Sequence, residues 1–270
     1  DIMINVAVTG AAGRMGKAIV KAVAANQLTR LCGALEREDS TLLNKDAGDV
    51  AGCERAGVRI TPDSAVAFKN ADVIIDFSVP ECAMNVLDEA VKLKKPVVMG
   101  TTGFSHHQRD AIKEVSLKLP VVISPNMSIG VNLLFKLAQM TSEILGRDYD
   151  IEIIEAHHRH KKDAPSGTAV RLAEVVAAAL NRDIEKVAVY ERKGIIGERT
   201  PDEIGIQSIR AGDIVGDHTV MFAAMGERIE LTHKASSRDT FAAGAVRAAV
   251  WVKDRPPGLY DMLDVLGLKG

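Results

Sequence analysis

Apolar residues in the first half of the chain fall in short unbroken runs rather than in alternation. INVAVTG (4–10), LCGALE (31–36), DVIIDFS (72–78), PVVMG (96–100) and PVVISP (120–125) are such runs. Between them, RMGKAIVKAVAANQ (14–27), PECAMNVLDEAVKLK (80–94) and residues 105–118 repeat their apolar positions at helical spacing. Strands that are apolar on both faces and alternate with helices belong in a parallel sheet covered on both sides. The first half therefore predicts an α/β fold with a doubly wound, Rossmann-like parallel sheet.

From about residue 129 the pattern changes. YDIEIIEAHH (149–158) alternates for part of its length, and IGIQSIRAG (204–212), HTVMFAA (218–224) and ERIELTHKAS (227–236) come after it without long helices between them. Consecutive strands with short connections predict a mixed, largely antiparallel sheet, one face solvated or packed on a partner. Helical spacing at 131–146, 167–180 and 239–252 makes the second region α+β, and VYERKGIIGERTPDE (189–203) reads as an irregular loop. There is no internal repeat.

Charge narrows the functional classes. Lys plus Arg number 34 against 36 Asp plus Glu, a formal net charge of −2, so no global attraction to nucleic acid or an anionic membrane is expected. Aromatic residues are 4% of the chain, too few for a base-stacking platform. Cys32, Cys53 and Cys82 are odd in number and form no C-x-x-C pair, which reads as reduced thiols and argues against a thiolate zinc site. The N-terminus runs straight into an apolar strand, and no stretch is both apolar and long enough to span a bilayer; the expected location is the cytoplasm.

VTGAAGRMG sets Gly10, Gly13 and Gly16 between a predicted strand and a predicted helix. The spacing is one residue longer than the dinucleotide fingerprint, but the physical demands are alike: a tight turn, close backbone approach to a pyrophosphate, and an anion at a helix N-terminus. Glu36 ends the second strand, placed to meet ribose hydroxyls, and Arg37 beside it is suited to a 2′-phosphate, so both NADH and NADPH are expected cofactors. Two further loops, GTTG (100–103) and SPNMS (124–128), fall at the C-terminal ends of predicted strands, where doubly wound sheets bind ligands. Gly100, Thr101, Thr102 and Asn126 could there let backbone groups reach a nicotinamide; as plain turns they need no ligand.

EAHHRHKKDAPSGTA (155–169) is the densest chemistry in the chain. His157 and His160 have H-x-x-H spacing, but no carboxylate or cysteine completes a familiar zinc set. In an extended segment His157 and His158 point to opposite faces. A solvated charged surface is the ordinary explanation of such a run. The Pro-Ser-Gly-Thr turn at its end shifts the weight toward chemistry. Asp163 or Ser166 can cap a helix, Pro165 suits its first turn, and the N–H groups near Ser166, Gly167 and Thr168 make an anion site that fits a carboxylate. A titratable histidine beside a lysine and such a pocket is a reasonable proton-donor arrangement.

The same stretch resembles the signature of the dihydrodipicolinate reductase (4-hydroxy-tetrahydrodipicolinate reductase) family, E-x-H-x-x-x-K-x-D-x-P-S-G-T, at Glu155, His157, Lys161, Asp163, Pro165, Ser166, Gly167 and Thr168. GAAGRMG, IDFS, GTTGF, RAGDIVGDH and THKASSRDTFA resemble further family segments in family order. The resemblance implies a dinucleotide-binding domain over 1–128 and 238–270, and a substrate-binding and tetramerisation domain over 129–237, assembled as a homotetramer. It implies hydride transfer from NADH or NADPH to a conjugated cyclic imine dicarboxylate, then protonation of the resulting enamine. By the same resemblance His157 is the acid/base group, Lys161 a second proton donor, and His158, Gly167 and Thr168 are substrate contacts. Nucleotide contacts fall on Gly10, Ala11, Ala12, Gly13, Arg14, Met15, Glu36, Arg37, Gly100, Thr101, Thr102, Ser124, Pro125, Asn126 and Met127. Val79 stands where some relatives carry a basic residue, which weakens the case for NADPH preference. Two other classes compete: a nucleotide sensor without turnover, which has no need of a proton donor, and another dehydrogenase on the same scaffold, which the fold alone does not exclude.

Overall fold

Alternate residues of each apolar run point to opposite faces of one sheet, which is why the runs are unbroken. The computed structural model describes residues 3–269. Residues up to Ile129, together with those from Arg238 onward, form one unit, and Gly130–Ser237 form another. Elements are numbered along the whole chain. In the first unit β1 (Ile4–Thr9), β2 (Thr29–Leu35), β3 (Ile60–Thr61), β4 (Val73–Asp76), β5 (Val97–Met99), β6 (Pro120–Ile123) and β12 (Gly258–Tyr260) form a seven-stranded sheet in the order β12-β6-β5-β4-β1-β2-β3. Every pairing in it is parallel.

Val6, Val8, Val73, Ile75, Val98 and Val122 pack in one buried cluster with residues of α1 (Arg14–Ala25) and α9 (Asp239–Val252). Their neighbours Ala7, Ile74, Val97, Met99 and Val121 pack in a second cluster with α4 (Pro80–Leu93) and α5 (His106–Ser116). Helices on both faces of a parallel sheet are the expected cover. Strand order reverses between β1 and β4, so a crevice opens at their C-terminal ends. Three short helices complete this unit, α2 (Ala47–Ala51), α3 (Ser64–Phe68) and α10 (Met262–Val265). Like β3 and β12, they are too short to show a period in the sequence.

The second unit has all but the first residue of α6 (Ile129–Leu145), then β7 (Asp150–His157), α7 (Gly167–Ala179), α8 (Ile184–Val187), β8 (Ala188–Val189), β9 (Ile204–Arg210), β10 (Gly216–Ala224) and β11 (Glu227–Ala235). Its sheet order is β11-β10-β7-β9-β8. It is mixed as expected, yet only the β10 pairings are antiparallel; β7–β9 and β8–β9 are parallel. The crossover through α7 accounts for this, because a helix returns the chain to the same end of the sheet. The stretch read as an irregular loop begins inside β8 and is tied down: Arg192 donates to both oxygens of Glu152 at 2.9 and 2.8 Å, and Arg199 donates to Asp150 at 2.6 Å. Among the described residues no helix is long and apolar enough to cross a membrane.

Candidate functional site

Two constellations gather the candidate residues, one in each unit. In the first unit, Gly10 leaves β1 with φ +60°, a left-handed conformation that favours glycine, and the turn closes through Gly13 N–H donating to Gly10 O at 2.9 Å. Gly16 lies against that turn: a Cβ there would sit 2.0 Å from Gly10 O. The N-cap of α1 is Gly13, without a side-chain cap, so the first-turn N–H groups at Arg14, Met15 and Gly16 are available to an anion. Ala11 and Ala12 are differently employed: Ala11 N–H donates to Leu35 O at 3.1 Å, and Ala12 N–H donates to Glu36 Oε2 at 2.9 Å. Glu36 Oε1 accepts from Arg37 N–H at 3.1 Å, which orients the carboxylate. Arg37 itself is exposed and pairs with Asp39 at 3.0 Å.

A cavity of about 630 Å³ runs from Gly10 and Gly13 past Glu36 and Arg37 to Ser78 and Asn85. Uncapped helix N–H groups, a turn with no room for side chains, an oriented acid and a cavity of this size fit a dinucleotide. Ser78, Cys82 and Asn85 of that cavity were not singled out from the sequence; their position after β4 was the available signal. The buried Asp76 ties the crevice together, accepting from Thr9 Oγ1 at 2.5 Å, Ser78 Oγ at 2.7 Å and Thr101 Oγ1 at 2.6 Å. Thr101 thus has its hydroxyl committed to the scaffold, and Gly100 lies under the Phe77 ring, where a Cβ would meet Phe77 Cζ at 2.2 Å. Thr102 and Pro125 are exposed. In the 124–128 turn Ser124 Oγ donates to Asn126 O at 2.8 Å, Asn126 Oδ1 accepts from Ser128 N–H at 2.8 Å, and Met127 is buried in the core beside α9.

In the second unit β7 alternates strictly, with Ile151, Ile153, Glu155 and His157 buried on one face. Register puts Ile204, Ile206, Ser208 and Arg210 beside them on β9, and Phe222, Val220 and His218 on β10. This face is apolar at one end and changes to charged and imidazole groups from Glu155 onward. Glu155 has no exposed surface. It accepts from Arg210 through both oxygens at 2.8 Å, from His157 Nδ1 at 2.5 Å and from Ser166 N–H at 3.1 Å. Burial pushes its pKa up, but Arg210 and His157 outweigh this and bring it down to about 2. An ionised Glu155 makes Nδ1 of His157 the donor, so Nε2 is the nitrogen that Glu155 does not engage.

Ser166 N–H brings the start of α7 to this pair. Ser166, not Asp163, caps α7, its Oγ accepting from Ala169 N–H at 3.2 Å. Gly167 opens the helix with nothing within 4 Å of its Cβ position, and Thr168 comes next in the first turn. Lys161 Nζ donates to both oxygens of Asp163 at 2.9 and 2.8 Å. His158 has its ring 6.2 Å from that of His160. Among the described residues no group of three or more His, Cys, Asp or Glu could hold a metal ion. Arg210 and His218 were not foreseen from the sequence.

His218 is buried, its Nε2 3.0 Å from Ser166 Oγ and its ring 5.1 Å edge-on from that of His157. Burial, reinforced by the proximity of His157, lowers its pKa from 6.5 to about 4. The unfolded chain therefore takes up a proton near pH 6.5 that the folded protein refuses until about pH 4. Stability is present above pH 6.5 and is lost as the pH falls through that window. His218→Gln is expected to flatten the decline of the urea midpoint between pH 7.5 and pH 5; an unchanged slope would exclude His218 as its source.

The family model described as "Dihydrodipicolinate reductase, N-terminus" matches residues 4–127, and that described as "Dihydrodipicolinate reductase, C-terminus" matches residues 130–266. The chain belongs to the dihydrodipicolinate reductase family. A 4-hydroxy-tetrahydrodipicolinate reductase of Syntrophotalea carbinolica is 54% identical over 99% of this chain and 100% of its own. That of Hahella chejuensis is 55% identical over the same shares. A solved dipicolinate-bound dihydrodipicolinate reductase from Paenisporosarcina sp. TG-14 superposes with TM-score 0.77 at 25% identity, covering 97% of this chain and 99% of that one. As a member of the dihydrodipicolinate reductase family the chain is an oxidoreductase, with NADH or NADPH as hydride donor.

Proposed function

We propose that the chain reduces 4-hydroxy-tetrahydrodipicolinate, whose 4-hydroxyl leaves as water, or the already dehydrated dihydro form, to tetrahydrodipicolinate in the diaminopimelate route to lysine, with His157 as proton donor assisted by Lys161. The buried Glu155–His157 pair, tied through Ser166 N–H to the N-cap of α7, carries this reading. The nicotinamide, when bound, supplies the hydride. With Glu155 accepting from Nδ1, Nε2 of His157 is the position that would take up a proton and deliver it to the carbon next to the one reduced. The N–H groups of Gly167 and Thr168 suit one ring carboxylate, and Lys161 and His158 offer charge or a hydrogen bond to the other. A planar ring dicarboxylate is what the Paenisporosarcina relative holds.

In the first unit, Gly10, Gly13, Arg14 and Met15 would hold the pyrophosphate and Glu36 the ribose. Ala11 and Ala12 would contribute through the shape of the turn, Gly100 through Thr102 and Ser124 through Met127 by backbone near the nicotinamide. A 2′-phosphate would compete with Asp39 for Arg37, so use of both cofactors is the reading. A homotetramer built on the second unit is part of the proposal: Ile154, Met221 and Ile209 lie on the face opposite Ile153 and Val220, half-buried or exposed. Three free cysteines suit a reducing cytoplasm.

The test monitors nicotinamide absorbance with substrate made in situ from pyruvate and aspartate semialdehyde by its synthase, NADH and NADPH in parallel. Substrate-dependent oxidation with both, inhibited competitively by dipicolinate, is the expected result. Binding of nucleotide without oxidation would move the chain to the sensor class.

A further inference from the structure

Proton delivery by His157 with help from Lys161 leaves one charge at the site without a task. Arg210 ends β9 opposite His157, and its guanidinium reaches back along the sheet to engage both oxygens of Glu155 at 2.8 Å, while Nη2 also donates to Asp163 O at 2.6 Å. A carboxylate wholly removed from water beside a histidine has two choices. It can stay charged and leave the proton on the ring, or take the Nδ1 proton and become a neutral acid; burial alone favours the second. A planar fork bound to both oxygens favours the first, and a lysine in its place could meet only one oxygen well.

We infer that Arg210 is a positioning residue of the reaction: through Glu155 it keeps a proton on Nδ1 of His157 and so fixes Nε2 as the nitrogen that addresses the ligand. This rests on His157 being the proton donor. The surroundings agree. On the Nε2 side stands Gly216 of β10, where a Cβ would come within 3.1 Å of Nε2, so the sheet leaves that nitrogen room. The other charged or titratable groups nearby are His218 of β10, buried beside the ring; His233 of β11, across from His218; and Lys161 with Asp163 in the loop after β7. Asp163 is engaged by Lys161, so Glu155 is the carboxylate that directs the ring.

Arg210→Met keeps length and removes the fork. Its kcat is expected to fall roughly 10–10²-fold, by analogy with the loss when the partner orienting a metal-bound histidine is removed, while KM for NADH stays near wild type. The solvent deuterium isotope effect on kcat should rise, because proton delivery becomes slower, and ¹⁵N spectra of histidine-labelled protein should show His157 passing from one tautomer to a mixture. Arg210→Lys should recover part of the rate. Should Arg210→Met fail to fold around an uncompensated carboxylate, the double variant Arg210→Met/Glu155→Gln removes that charge and should show the same slow, isotope-sensitive turnover. Wild-type kcat, isotope effect and tautomer in a folded Arg210→Met, or in the double variant, would overturn the inference. A loss of kcat with isotope effect and tautomer unchanged would overturn it too, leaving Arg210 a structural clamp. Undiminished turnover in His157→Gln would instead remove the reading beneath it.

Discussion

His157→Gln is expected to lower turnover roughly 10²–10⁴-fold, the usual contribution of a positioned general acid, with NADH affinity unchanged. Glutamine is chosen because its amide can still donate to Glu155, which has no exposed surface and whose loss of a partner would otherwise cost stability. What it cannot do is carry a proton to the reacting carbon. His157 belongs to the second unit, whereas Gly10, Gly13, Glu36 and Arg37 line a cavity in the first, so the expected separation of kcat from nucleotide binding comes from where the residues lie. Single-turnover oxidation of NADH and fluorescence titration of the cofactor measure the two quantities independently. Loss of cofactor binding with kcat preserved would reverse the assignment of the two constellations, and unchanged turnover would remove His157 from the chemistry.

Legibility in the sequence tracked contiguity. The candidate stretch at 155–169 stood out because His157, Lys161, Ser166 and Gly167 are near neighbours along the chain, and the glycine turn because Gly10, Gly13 and Gly16 are. Long elements were visible through their period: the helix expected at 239–252 is α9, and the run 4–10 contains β1. Arg210 opens the RAGDIVGDH segment, but its tie to Glu155 was hidden for the opposite reason. It meets Glu155 across 55 positions, and only the parallel register of β7 with β9 brings the two together. Neither the helical spacing at 167–180 nor the irregular 189–203 says which way β9 runs beside β7. His218 reads as an ordinary strand residue until its burial beside His157 and Ser166 is seen. Short elements such as β12, which has three residues and directly follows a pair of prolines, carry too few positions for any period to emerge.

The glycine turn allows a second test with a large effect. Gly16→Ala is expected to abolish measurable NADH binding and to destabilise the protein by about 3 kcal/mol, at the upper end of what overpacking costs. The added Cβ would stand 2.0 Å from Gly10 O and 2.7 Å from Ala11 Cα, both backbone atoms that cannot rotate aside. Relief requires α1 to lift from the turn, but Ile19, Val20 and Val23 of that helix are buried in the core cluster shared with α9. Alternatively the turn itself must open, which breaks the Gly13 N–H to Gly10 O bond and disperses the first-turn donors. Either route removes the anion cradle. Gly13→Ala is the matched control, because its Cβ would lie 3.1 Å from the same oxygen and φ is −73°, acceptable to alanine. It should lose far less stability. Thermal melts and cofactor titration of both variants check the pair: a fall of roughly 6–12 °C for Gly16→Ala corresponds to about 3 kcal/mol in a chain of this size. Equal behaviour of the two variants would mean that close approach of α1 to the turn is not what forms the nucleotide site.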